Sequence, residues 1–156
     1  MVQGSLCSKG GQRDAQVTQE LVVDTSVFIV SLIDEAQLDD DDKKRRPLAI
    51  SYLDGLEKGD YLVHLPMIAL VEIAGVSSQK VGAGPTAAIK HRLEQWRRLG
   101  LIKLYDLEES RMRVATDLVI QHNKSRKRSL SAPDATFVGL AEELGITLVT
   151  FEKYMG

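Results

Sequence analysis

Short apolar runs alternate with longer amphipathic segments from residue 20 onward. Residues 21–23 read Leu-Val-Val, and similar runs follow at 61–65, 101–105 and 146–150. Runs of this length with few polar positions are typical of strands buried on both faces of a parallel sheet. The pattern therefore predicts four strands, with helical segments between them.

The segments between the predicted strands carry helix signals. Proline stands at a permitted first-turn position in residues 47–58, and Gly100 and Gly145 are typical helix stops. The charge run DDDDKKRR at residues 39–46 predicts a solvated loop. The segment that Pro66 opens is apolar nearly all round and is therefore expected to be buried. The predicted helices are 25–36, 47–58, 66–76, 86–99, 108–122 and 133–144.

The alternation of strands and helices indicates the fold class. It predicts an α/β domain with three α/β/α layers, a mainly parallel four-stranded sheet and right-handed crossovers. A length of 156 residues corresponds to one domain. We expect residues 1–19 to be a flexible tail and residues 20–156 to be the folded domain.

Composition and charge narrow the functional classes. The chain is 44% hydrophobic and 27% charged, which excludes global disorder. Its net charge of −2 excludes a wholly basic surface, so nucleic-acid contacts must come from local patches. A single cysteine, Cys7, excludes an internal disulfide and cysteine-based zinc sites, and favours a reducing cytoplasm. No apolar run reaches about 18 residues, so no membrane span is expected.

Four acidic residues fall near predicted strand ends or helix starts. Asp24 ends the first strand, Glu72 lies two turns into the helix after the second, Asp134 opens the last helix, and Glu152 follows the fourth strand. In open parallel sheets these positions meet at one edge, where ligands bind. We therefore expect the four carboxylates to face one rim.

Glu72 is the most informative of these acids because its helix offers no obvious solvent face. An unpaired buried carboxylate costs several kcal/mol, so an arginine or lysine, a proton or a metal ion must offset it. The acids also have structural explanations. Asp24 and Asp134 are suited to helix starts, the latter with Ser131 in a capping-box pattern, and Glu152 is suited to the surface.

An all-oxygen set of ligands favours Mg²⁺ or Mn²⁺. Calcium fits less well because no compact ligand loop is present. Zinc is disfavoured because His64, His91 and His122 show no ligand spacing, and we expect each of them to be an ordinary surface or half-buried residue.

Four segments of the sequence resemble, in their order along the chain, the motifs of PIN-domain nucleases. The resemblance covers residues 20–154, and the length of the chain is similar to that of the VapC-like toxin branch of this family. The resemblance implies a metal-dependent ribonuclease with a three-layer α/β fold, often dimeric and often paired with a small antitoxin protein. The segments are VVDTS around Asp24, LPMIALVE ending at Glu72, PDA around Asp134, and LVTFE ending at Glu152.

The resemblance also assigns roles to individual residues. Asp24, Glu72, Asp134 and Glu152 take the metal-binding and catalytic positions. Thr150, with Thr25 or Ser26, would supply hydroxyls that orient water or an acid. The fourth position departs from the family, which usually has aspartate there, so that carboxylate reaches one methylene further.

A basic segment just before Asp134 is the candidate RNA-binding region. Phosphate contacts from such a segment would supply sequence-independent affinity, although a solvated loop also explains it. Bound cations would reverse the repulsion between the acids and a phosphodiester and would support hydrolysis by water. The basic residues are Lys124, Arg126, Lys127 and Arg128.

Two alternatives belong to other functional classes. A PIN-like module could bind RNA or a protein without cutting. A phosphoacceptor receiver domain would need an acidic neighbour beside Asp24, which is absent, and a lysine for which Lys153 is a loose match. A Rossmann enzyme is disfavoured because no Gly-x-Gly-x-x-Gly follows the first strand.

Overall fold

The computed structural model describes residues 18–123 and 130–151. The first strand already includes Gln19, the last residue of the predicted tail. Residues 1–17, with Cys7, lie outside the described part. In chain order the elements are β1 (Gln19–Val23), α1 (Thr25–Leu32), a 3-10 turn (Glu35–Gln37), α2 (Asp40–Lys58), β2 (Tyr61–Pro66), α3 (Ile68–Val81), α4 (Ala83–Arg98), β3 (Ile102–Tyr105), α5 (Glu109–Asn123), α6 (Ala132–Leu144) and β4 (Thr147–Val149).

The strands form a parallel four-stranded sheet in the order β3-β2-β1-β4. Helices cover both of its faces, which confirms the predicted three-layer α/β/α class. Val22 of β1 is level with His64 of β2 and Leu148 of β4. The β1 residues Leu21, Val22 and Val23 are all buried, as expected of a central strand covered on both sides.

The charge run at residues 39–46 is helical, so the predicted loop is wrong. Asp39 caps α2 by accepting a hydrogen bond from the Asp42 backbone N–H at 2.8 Å. The aspartates then occupy the first turn, where the helix dipole favours negative charge. Lys44 lies 3.3 Å from Asp41, one turn away. Pro47 consequently lies inside α2 rather than in its first turn.

Helix α1 ends at Leu32, four residues earlier than predicted. Ile33 adopts an extended conformation, and Asp34 begins the 3-10 turn by accepting a hydrogen bond from the Ala36 N–H at 2.9 Å. The Arg46 guanidinium donates to the backbone carbonyls of Val30 and Ile33. A cation from α2 therefore satisfies the carbonyl end of α1.

Helix α3 is buried on one side only, which corrects the prediction of an all-round buried helix. Ala69, Ile73 and Ser77 are buried, whereas Val71 is 71% exposed. The break between α3 and α4 is confined to Gly82, which has a left-handed φ of 82°. None of the helices in the described residues has the length and apolar character needed to cross a membrane.

His64 is buried, contrary to the expected surface or half-buried position. Its Nδ1 atom lies 2.8 Å from the Tyr105 hydroxyl, and its Nε2 atom lies 2.8 Å from a carboxylate oxygen of Glu20. Burial is the main cause of a lowered His64 pKa, which the nearby Glu20 charge opposes. Polar residues on three neighbouring strands thus form a contact that the sequence pattern does not reveal.

Candidate active site

Asp24 lies at the carboxyl edge of the sheet because it follows β1 directly. Val23 is level with Val149 of β4, so the next residues, Asp24 and Thr150, are neighbours. The Asp24 backbone N–H donates to the Val149 carbonyl at 2.9 Å, and the Thr150 hydroxyl donates to Asp24 Oδ2 at 2.8 Å. The parallel register therefore brings together two residues that are 126 positions apart.

Three hydroxyl groups surround the Asp24 carboxylate, which is 2% exposed. Besides Thr150, Ser26 donates to Oδ2 at 2.7 Å and Thr25 donates to Oδ1 at 3.3 Å. Asp24 occupies the N-cap position of α1, yet its side chain makes no capping hydrogen bond. Helix capping therefore does not explain the side chain, whose oxygens bind hydroxyl groups instead.

Ser26 also connects Asp24 to the segment after β4. Its Oγ accepts a hydrogen bond from the Phe151 backbone N–H at 3.3 Å. Phe151 directly precedes Glu152, the fourth predicted acid, which lies outside the described residues. The same hydroxyl thus touches the first acid and the backbone that leads to the fourth.

Glu72 is partly buried, and its Oε2 atom is fully buried without a hydrogen-bond partner in the described structure. Desolvation, followed by the charges of Asp24 and Asp134, raises the pKa of Glu72 from 4.5 to about 7. A hydrogen bond with Thr25 opposes this shift. The two charges that act most strongly on Glu72 are therefore both negative, and no arginine within residues 18–123 and 130–151 takes the role of the suggested buried partner.

Asp134 lies in the first turn of α6. Its backbone N–H donates to the Oγ of Ser131, the N-cap residue, at 3.2 Å. The local sequence thus sets the start of α6, and the position of that helix brings the Asp134 charge within range of Glu72. Three of the predicted acids therefore share one electrostatic environment.

The donor chemistry of this environment fits a hard divalent cation. It offers carboxylate and hydroxyl oxygens, and one buried carboxylate oxygen has no hydrogen-bond partner within residues 18–123 and 130–151. In residues 18–123 and 130–151, however, no group of three histidine, cysteine or acidic side chains forms a complete metal-binding cluster. The described acids supply oxygen ligands of the right kind, but they do not form a complete set of metal ligands.

The predicted RNA-binding residues Lys124, Arg126, Lys127 and Arg128 lie outside the described part of the chain. One basic residue that the sequence pattern does not reveal lies close to the candidate site. The Arg45 guanidinium is 5.9 Å from the ring centroid of Phe151. Arg45 belongs to the charge run at residues 39–46, and its position depends on the helical conformation of that run. The predicted loop therefore gives no indication of this contact.

Comparison with solved structures identifies the fold. VapC20 of Mycobacterium tuberculosis, a toxin that cleaves the sarcin-ricin loop, superposes with a TM-score of 0.66 at 17% identity, covering 85% of this chain and 90% of its own. The chain has a PIN-domain fold. The resemblance seen in the sequence is thus confirmed at the level of architecture.

Two further structures share this PIN-domain fold. FitAcB from Neisseria gonorrhoeae has a TM-score of 0.56 at 17% identity, covering 86% of this chain and 88% of its own. FitAB bound to the IR36 DNA fragment has a TM-score of 0.56 at 19% identity, covering 83% of each chain. No family model and no curated protein matches the sequence.

Proposed function

We propose that this protein is a ribonuclease that uses Mg²⁺ or Mn²⁺ to hydrolyse RNA phosphodiester bonds. Asp24, Glu72 and Asp134 would hold the ion, and Glu152 would complete the site. The proposal draws on the PIN-domain fold and on the cleaving activity named for VapC20. Its main support is the Glu72 Oε2 atom, which is buried beside two other acids and has no hydrogen-bond partner among the described residues.

The distribution of negative charge favours a bound cation over a purely structural role. A proton alone would neutralise Glu72 at acidic pH, because the pKa of this carboxyl is about 7. At higher pH three carboxylates share the same environment, which is costly unless a counter-charge is present. When bound, a divalent ion would lower the pKa of water and stabilise negative charge on the phosphate oxygens.

The residues around the acids have distinct tasks in this proposal. The hydroxyls of Ser26 and Thr150 hold Asp24 Oδ2 at 2.7 and 2.8 Å, so that this carboxylate keeps one orientation. Thr25 contacts Asp24 and opposes the rise of the Glu72 pKa, which favours the ionised form that binds a cation. The basic segment with Lys124, Arg126, Lys127 and Arg128 would bind the RNA backbone.

We further propose that the protein is the toxin of a toxin–antitoxin pair, with a small antitoxin protein as partner and a homodimer as the active form. The similarity to a protein described as a toxin supports the biological role. Exposed apolar side chains, such as Val71 at 71% and Leu99 at 72%, offer surface that a partner could cover. Light scattering with and without the co-expressed neighbouring gene product tests both assemblies.

Cleavage of a fluorescent single-stranded RNA in Mg²⁺ or Mn²⁺ tests the enzymatic proposal. We expect Asp24→Asn to lower kcat/KM by about 100-fold or more, because it removes a charge that holds the ion. Asp54→Asn, on the exposed side of α2, is the matched control and should retain parental activity. Equal activity of Asp24→Asn and the parent, or full activity with excess chelator, would refute the proposal.

A non-cleaving PIN-like module is the second candidate. The observation in its favour is that no described trio of side chains forms a complete metal cluster. Such a module should bind RNA or a protein partner with an affinity that divalent ions do not change. It should also yield no new RNA ends in Mn²⁺ at any enzyme concentration.

A further inference from the structure

A cavity of about 420 Å³ opens between the ends of β2 and β3 and helices α5 and α6. This volume lies within the range of small-ligand sites in proteins, about 300–1,000 Å³. The cavity is separate from the acids described above. Its walls include Pro66, Tyr105, Leu107, Arg111, Val114 and Glu142.

The strand register places this cavity next to the acidic site. Pro66 is level with Tyr105, and Val22 is level with His64, so Asp24 is level with Pro66 two residues further on. Asp24, Pro66 and Tyr105 therefore form a row across the carboxyl edge of the sheet. At about 4.8 Å between strands, the Tyr105 backbone is about 10 Å from that of Asp24. A strand of RNA bound at the acids would therefore pass close to the cavity.

Tyr105 and Arg111 line the same side of the cavity and are in contact with each other. The Tyr105 hydroxyl is 2.8 Å from His64 Nδ1, and the Arg111 guanidinium lies 5.2 Å from the Tyr105 ring centroid. Arg111 is held in turn by two hydrogen bonds to Glu143, of 2.8 and 2.9 Å, and one to the Asp106 carbonyl. Aromatic rings and guanidinium planes are the surfaces on which unstacked RNA bases stack.

The charge of the cavity argues against a phosphate as its occupant. Glu143 compensates Arg111. Glu142 also lines the cavity, and its side chain has no hydrogen-bond or ion-pair partner among the described residues. A carboxylate accepts hydrogen bonds from amino and ring N–H groups and repels phosphate. Apolar walls such as Leu107 and Val114 favour an uncharged, flat group.

We infer that this cavity holds a nucleobase of the RNA strand that flanks the bond to be cleaved. The base stacks at the Tyr105–Arg111 wall and donates hydrogen bonds to Glu142. Guanine fits this chemistry best, because its N1–H and N2–H₂ donors are adjacent and can face one carboxylate together. The inference rests on the proposed ribonuclease function for its biological meaning, while the binding itself is measurable without cleavage.

Nucleoside binding followed by amide NMR tests the site directly. Titration with millimolar guanosine should shift the amide signals of Ser110, Thr136 and Gly139, which line the cavity, and uridine should shift them less. Val114→Phe fills the cavity from a 45% exposed helix position and should abolish these shifts. Val71→Phe, at a 71% exposed position outside the cavity, is the control. Absence of guanosine-dependent shifts in the parent would overturn the inference.

Glu142→Gln provides a second variant that preserves volume. It should weaken guanosine binding about tenfold, whereas the exposed Asp117→Asn on α5 should not change it. Unchanged guanosine affinity in Glu142→Gln would refute the assigned hydrogen bonds. Shifts produced by an arginine-containing peptide and by no nucleoside would assign the cavity to a protein partner and would likewise overturn the proposal.

Cleavage assays separate this inference from the proposed function. With RNAs that differ at one base beside the cut, Val114→Phe should raise KM about tenfold for the preferred base and leave kcat nearly unchanged. If the parent protein binds guanosine but never cleaves RNA, the proposed ribonuclease activity is refuted and the proposed nucleobase site is retained. Cleavage with the same base preference in the parent, Val114→Phe and Glu142→Gln would refute the base site alone.

Discussion

The carboxylates of Asp24, after β1, and of Glu72, in α3, are buried at the same edge of the sheet, but their surroundings differ. Asp24 receives hydrogen bonds from three hydroxyls, although it is 2% exposed. Glu72 has a buried oxygen with no hydrogen-bond partner in the part of the chain that the structure describes, and its pKa is raised to about 7. The hydroxyls satisfy the hydrogen-bonding capacity of Asp24 without neutralising it, so its charge adds to the cost of ionising Glu72. The Asp24 carboxylate is thus held in one orientation, whereas the Glu72 carboxylate still requires a counter-charge.

The largest expected effect comes from neutralising the unsatisfied carboxylate. Glu72→Gln should lower kcat/KM by about 100-fold or more, because it removes a charge that we propose binds the ion. The same change should stabilise the metal-free protein at weakly alkaline pH by roughly 1–3 kcal/mol. Cleavage assays check the expected loss of activity, and urea unfolding of the same variant checks the expected gain in stability. A variant that loses stability and activity together would indicate an ordinary structural carboxylate.

Removing a hydrogen bond from the buried Asp24 carboxylate should destabilise the protein, whereas Glu72→Gln should stabilise it. Thr150→Val removes a 2.8 Å hydrogen bond to the buried Asp24 and should destabilise the protein by about 1.5–3 kcal/mol. Thr150→Ser keeps the hydroxyl, and Thr147→Val makes the same exchange at an exposed position of β4. Urea unfolding should therefore rank Thr150→Val below both controls. Equal stability of Thr150→Val and Thr147→Val would contradict the role given to this bond.

The pH dependence of stability sharpens the comparison. The pKa of Glu72 is raised above its ordinary value of 4.5, so protonation stabilises the folded state. That contribution is complete below pH 4.5 and is lost as pH rises through about 7. In chelator, the stability difference between Glu72→Gln and the parent should grow by about 1–3 kcal/mol over this window. A constant difference across the window would contradict the raised pKa.

The smallest effect concerns Ser77, a buried hydroxyl on the same helix as Glu72. Its side chain is 0% exposed and its Oγ has no hydrogen-bond partner in the described structure. Ser77→Ala should therefore raise stability by about 1 kcal/mol, since an unsatisfied polar group is removed. Ser78→Ala, whose exposed hydroxyl donates to the Gly75 carbonyl at 2.9 Å, is the control. Destabilisation by Ser77→Ala would show that this hydroxyl has a partner.

Local patterns were sufficient to predict the sheet and the positions of three acids relative to it. The run of Leu21, Val22 and Val23 predicts a buried strand, and the parallel order then places Asp24 at the carboxyl edge. The helical charge run was missed because its stability depends on the Asp39 cap and on the contact of Arg46 with α1. Composition alone describes such a segment as a loop.

The contacts that distinguish the two carboxylates could not be predicted from sequence spacing. Thr150 reaches Asp24 only through the β1–β4 register, and Arg111 of α5 meets Tyr105 of β3 only in the folded structure, where α5 packs against α6. The burial of His64 likewise depends on residues from two other strands. These features come from tertiary packing, which hydrophobic periodicity does not encode.

Binding of Mn²⁺, followed by electron paramagnetic resonance at weakly alkaline pH, tests the central claim most directly. If Asp24, Glu72 and Asp134 hold one divalent site, the parent should bind Mn²⁺. Asp24→Asn, Glu72→Gln and Asp134→Asn should each weaken that binding at least tenfold, and Asp54→Asn should not. A parent that binds no Mn²⁺, or three variants that bind it as tightly as the parent, would contradict the account.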